Sequence, residues 1–84
     1  MQLVQHTEFQ TRALSAYIRQ TKRDGIAFEQ PRSVDTWVDE GAKMYVVLHG
    51  GSSADRIIAV YRVRNDDILK RLKRWPSAIT EKYA

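Results

Sequence analysis

Two dense runs of β-favouring residues, Met44–His49 and Ile57–Val63, stand only seven residues apart and constrain the fold more than any other feature. The stretch between them, Gly-Gly-Ser-Ser-Ala-Asp-Arg, is rich in turn formers. A parallel crossover needs a dozen or more residues, so the spacing predicts an antiparallel hairpin. Along the second run, alternation puts Ile57, Ala59, Tyr61 and Val63 on one face. Ile58, Val60, Arg62 and Arg64 fall on the other, which turns from apolar to basic along its length.

Ahead of the hairpin, Phe9, Ala13, Leu14, Tyr17 and Ile18 recur at helical spacing and form one apolar stripe. Thr7-Glu8-Phe9-Gln10 reads as a capping box, Lys22 and Arg23 suit the negative end of the dipole, and Gly25 supplies a stop. The expectation is a helix over about 8–24. Residues 2–6 suit an edge strand or a tail. Residues 26–32, with Pro31, read as a connector holding a brief extended piece at Ile26–Phe28. Ser33 is expected to cap a short helix ending near Gly41, with Val34, Trp37 and Val38 on one side and Asp35, Asp39 and Glu40 on the other.

The segment after the hairpin supports two conformations. Ile68, Leu69, Leu72 and Trp75 follow i, i+1, i+4, i+7, and Pro76 would end a helix that Asp66 caps. Asn65-Asp66-Asp67 also suits a hairpin turn into a third strand. The period rule favours the helix, with all four apolar residues in the core. The predicted architecture is one α+β domain over residues 1–84: a long N-terminal helix and shorter helices packed on a small antiparallel sheet.

Size limits the rest. Eighty-four residues hold one small core, and two Trp, four Tyr and two Phe supply much of its area. The absence of cysteine removes disulfides and thiolate chemistry and disfavours a secreted, stapled scaffold. Met-Gln-Leu-Val-Gln-His lacks the basic and apolar regions of a signal peptide, and no apolar run approaches the roughly twenty residues of a membrane span. The expectation is a soluble cytoplasmic protein with no membrane association.

Charge is unevenly placed. Arg56–Trp75 carries seven of the fourteen Lys and Arg residues against Asp66 and Asp67, a net of +5, so the remainder carries −1 of the total +4. Arg62, Arg64, Lys70, Arg71, Lys73 and Arg74 are the candidate contacts to a polyanion, because such residues neutralise phosphates and release counterions. Trp75 beside them would offer a stacking surface favouring single strands; buried, it would be core. The bland alternative is a solvated face whose side-chain stems cover the core. From Asp24 to Glu40, five acids (Asp24, Glu29, Asp35, Asp39, Glu40) face Arg32 alone. That lobe can be a solvated face, dock on the basic segment, or pair between copies.

Catalytic chemistry is thinly represented. His6 and His49 are the only histidines and lack a zinc-ligand spacing, so neither metal nor cofactor is expected. His49-Gly50-Gly51 lacks the nucleophile elbow that an oxyanion-hole tripeptide accompanies, and Gly50-Gly51-Ser52-Ser53 lacks the lysine of a phosphate loop. Both read as hairpin loop. The leading expectation is a non-enzymatic nucleic-acid-associating domain using the basic segment.

Two stretches resemble the RelE/ParE group of small bacterial toxins. His6-Thr7-Glu8-Phe9-Gln10-Thr11-Arg12 is similar to the start of that group's first helix. Ile58-Ala59-Val60-Tyr61-Arg62-Val63-Arg64, followed by Asn65-Asp66-Asp67, is similar to its final hairpin. The resemblance implies a basic sheet face acting on ribosome-bound mRNA or poisoning gyrase, with an acidic antitoxin as partner. Arg62, Arg64 and Tyr83 would be the matching positions. The helical spacing of Lys70-Arg71-x-Lys73-Arg74 departs from it. A toxin-like ribonuclease is thus the enzymatic alternative, and a protein-interaction or homo-oligomeric module using the acidic and basic lobes is the third.

Overall fold

The computed structural model describes residues 1–25, 29–50 and 56–83. In chain order these form β1 (Gln2–Val4), α1 (Thr7–Asp24), β2 (Pro31–Val38), β3 (Met44–Gly50), β4 (Ile57–Val63), β5 (Leu69–Arg71) and α2 (Ser77–Lys82). The strands make one antiparallel sheet in the order β1-β2-β3-β4-β5, with α1 on one face and α2 on the other. The expected α+β architecture is therefore present. A strand and a long helix ahead of an antiparallel sheet are compatible with the RelE/ParE arrangement.

Helix α1 forms where the stripe and its end signals predict. Phe9, Ala13 and Tyr17 are buried against Val46, Leu48, Ala59 and Tyr61. Burial of each large side chain contributes about 1.5–3 kcal/mol. The cap differs in detail: His6 rather than Thr7 occupies the N-cap, its Nδ1 accepting from Phe9 N at 3.4 Å. Gln10 reaches the sheet instead, donating to Thr36 Oγ1 at 2.9 Å. Gly25 ends the helix in the left-handed conformation, φ 66°, where glycine carries no Cβ penalty.

Residues 33–38, expected as a helix, belong to β2. Pairing explains the change: β1 on one side and β3 on the other satisfy the backbone of Thr36, Trp37 and Val38. The side chains alternate accordingly, with Val34 packed under α1 and Trp37 on the α2 face. Asp39–Lys43 is the turn into β3, where Asp39 N donates to Lys43 O and Lys43 N to Asp39 Oδ1.

Antiparallel pairing of β3 with β4 bears out the hairpin. One irregularity changes its faces. The register shifts between Leu48 and His49, so Leu48 opposes Ala59 while His49 opposes Ile57. Ala59, Tyr61 and Val63 share one face as expected, the one packed toward α1, but Ile58 joins them and Ile57 joins the α2 side. The bulge reverses the alternation at its own position.

The favoured helix at 66–75 is not formed. Asp67 takes φ 62° and the chain turns through Arg64–Ile68, with Asp67 N donating to Arg64 O and Arg64 N to Ile68 O. Strand β5 follows, paired with β4. The misleading period came from residues that do not share a face. Leu69 packs toward α1 and Leu72 toward α2, while Ile68 is 52% and Trp75 41% exposed. The expected core role holds for the two leucines only. Beyond Pro76, α2 places Ile79 against Tyr45, Val47 and Val60. The extended piece expected at Ile26–Phe28 and the loop residues Gly51–Ser53 lie outside the described residues. Among the described residues no helix is long and apolar enough to cross a membrane.

Candidate nucleic-acid interface

Because strand side chains alternate, β5 distributes the basic segment over both faces of the sheet edge. Lys70 lies directly opposite Arg62 on β4, and the two share the α2 face. With Arg64, Asn65, Asp66 and Leu72 they surround a concavity of ≈ 450 Å³. Arg64 Nε stands 3.9 Å from Asp66 Oδ1, a loose, exposed pair. Like charges directly opposite on neighbouring strands oppose sheet formation. Among the described residues, Arg62, Lys70, Lys73 and Arg74 have no ion-pair partner. The Nε of Arg62 is also buried without a hydrogen-bond partner.

Arg71 points the other way. Opposite Tyr61, it lies on the α1 face, with its guanidinium 5.7 Å from the centre of the Tyr17 ring and Nη1 3.3 Å from Gln20 Oε1. The same amide oxygen accepts from Tyr61 Oη at 2.8 Å, so Gln20 joins α1 to β4 and β5. Burial raises the Tyr61 pKa from its ordinary 10.0, and the nearby Arg71 charge partly offsets that rise. Lys73 and Arg74 are exposed beyond the strand. The six candidate cations therefore do not form one patch. Arg62, Arg64 and Lys70 converge, Arg71 belongs to the opposite face, and Lys73 and Arg74 flank the edge.

The acids of residues 24–40 leave this edge uncovered. Asp24 pairs with Arg23 and Asp39 serves the β2–β3 turn. Glu29 binds Arg56, whose pKa is raised by that hydrogen bond and charge. Arg56 is the one cation of the basic segment that this lobe engages among the described residues.

A polar cluster on the α2 face was not legible in the sequence. His49, with its side chain 1% exposed, places Nε2 3.1 Å from Asp35 Oδ2. Tyr83 Oη donates to the same oxygen at 2.8 Å and accepts from Trp37 Nε1 at 2.6 Å. If Nε2 carries the proton toward Asp35, the buried Nδ1 is a bare acceptor without a partner. These bonds fasten the C-terminal end of α2 to β2 and β3. They place the Tyr83 hydroxyl on β2. Arg62 is on β4, two strands from β2, or about 10 Å at ordinary strand spacing. Among the described residues no His, Asp or Glu group is arranged to hold a metal ion.

Fold and edge together define an α+β domain with cations on both sides of one terminal strand. In comparisons with known proteins, the chain matches no family model, no curated protein and no solved structure.

Proposed function

We propose that this protein associates with the phosphate backbone of nucleic acid through the β4–β5 edge, without catalysing a reaction on it. Arg62, Arg64 and Lys70 are the central contacts, and Lys73 and Arg74 flank them beyond the end of the strand. One observation carries the reading: Arg62 and Lys70 are held opposite one another around a concave space, unneutralised by the acidic lobe. That arrangement disfavours the sheet, and a bound polyanion removes the penalty. Because the contacts lie along an open sheet edge with no element that enters a groove, binding is expected to be insensitive to base sequence.

The test is retention on immobilised single-stranded and duplex nucleic acid as salt rises. Affinity should fall steeply and linearly in log–log form, with a slope of about 0.7–0.9 per phosphate neutralised. Binding no stronger than that of a neutral protein, or binding without a salt slope, would refute it. Growth arrest on expression, relieved by a small acidic protein, would favour the toxin-like ribonuclease instead. Benign overexpression counts against that alternative.

A further inference from the structure

We infer that Trp75 is a base-stacking platform and that the nucleic acid taken by this edge is single-stranded; this rests on the phosphate-binding reading of the same edge. The two tryptophans have opposite environments. Trp37 is engaged: its Nε1 bonds Tyr83, the Tyr83 ring packs edge-on at 6.3 Å, and Lys82 Nζ lies 4.6 Å from its ring centre. Trp75 is 41% exposed, and among the described residues no ring stacks on its indole and no cation sits over its face. Trp75 thus leaves an aromatic face open to solvent.

Its surroundings suit one kind of ligand. Trp75 lines a concavity of ≈ 480 Å³ with Gln20, Arg23, Ile58, Arg71 and Lys73; Asp24, already paired with Arg23, is the acid among the lining residues. A ring flanked by cations provides a π-face for a base beside charge for its phosphate. Leu72 lines both this concavity and the one holding Arg62, Arg64 and Lys70, so the two meet across β5. Since β5 is the last strand of the sheet, a chain can pass around it. A single strand satisfies both halves, with backbone at Arg62, Arg64 and Lys70 and an unpaired base on Trp75. A duplex buries its base faces internally and satisfies the first half only.

The experiment compares binding of a labelled oligothymidylate and a duplex of equal length by the wild type, Trp75→Ala and Trp75→Phe. Trp75→Ala should weaken the oligothymidylate about tenfold while changing duplex affinity by less than about twofold, and Trp75→Phe should restore most of the loss. Oligothymidylate should quench tryptophan emission in the wild type and not in Trp75→Phe, where Trp37 remains; this readout holds even if the alanine variant fails to fold. Equal loss on both ligands, or no loss on oligothymidylate and no quenching, overturns the stacking role. If the wild type binds neither ligand, the phosphate-binding reading itself has failed. Binding to both without any Trp75 effect defeats the stacking inference alone.

Discussion

The two faces of the sheet are covered by helices of very different length, eighteen residues for α1 and six for α2. The long helix covers the centre of its face: Val46, Leu48, Ala59 and Tyr61 are buried beneath Phe9, Ala13 and Tyr17. The short one reaches only the middle of the other face, where Ile79 covers Tyr45, Val47 and Val60. Neighbours in β4 register the difference directly. Tyr61 is completely buried, whereas Arg62, one residue on and facing oppositely, lines an open concavity. Part of the charge excess counted in the sequence thus lies where the cover of α2 runs out.

The largest test of this contrast is truncation on each face. Leu48→Ala should cost about 2–5 kcal/mol in urea unfolding, because a sealed core cannot collapse around the cavity. Ile79→Ala should cost less, since so short a helix can fray rather than leave a void. An equal or greater loss from Ile79→Ala would mean that α2 is as integral to the fold as α1. A smaller effect tests the fastening of α2. Tyr83→Phe removes a donor to Asp35 and an acceptor for Trp37 and should cost about 1–3 kcal/mol. Loss confined to hydrogen-exchange protection in α2 would support a local latch, and no loss anywhere would remove it.

Tyr61→Phe should cost about 1 kcal/mol near neutral pH by removing the hydroxyl bond to Gln20. Its pH dependence is more informative. The folded pKa of Tyr61 is raised, so its contribution is complete below the ordinary value of 10.0 and lost as pH rises through the higher folded value. Wild-type stability should therefore decline more steeply than that of Tyr61→Phe above about pH 10; parallel profiles would show that Tyr61 ionises as freely folded as unfolded. The smallest effect concerns the open face. Lys70→Glu converts the like-charge pair with Arg62 into an attractive one and should stabilise the fold by about 0.2–1 kcal/mol while weakening nucleic-acid binding. A variant at once less stable and equally tight would break the link between that pair and a ligand.

Much of this architecture was legible because it depends on local signals: the α1 stripe, the Gly25 stop and the β3–β4 hairpin. What was hidden depends on pairing. Val34, Thr36 and Val38 alternate as a strand should, yet the same segment also satisfies a short amphipathic helix, and only β1 and β3 on either side decide between them. Ile68, Leu69, Leu72 and Trp75 matched a helical period by coincidence, two being exposed and two lying on opposite faces. The bulge at Ile58, unpaired between Ala59 and Ile57, exchanges Ile57 and Ile58 between faces, which strict alternation cannot anticipate. At the site, the residue types were readable but their division was not, since β5 rather than a helix carries Lys70 and Arg71 to opposite sides. The Asp35–His49–Tyr83 cluster joins residues from β2, β3 and the end of α2, and no sequence spacing marks it.

The most direct measurement is the salt dependence of oligothymidylate affinity for the wild type and for Arg62→Ala/Lys70→Ala. If the opposed cations contact phosphate, the double variant binds more weakly at low salt and its log–log slope is shallower by about 1.4, the single-strand value for two contacts. An unchanged slope, with the fold intact, would place the phosphates elsewhere and contradict the assignment of the β4–β5 edge.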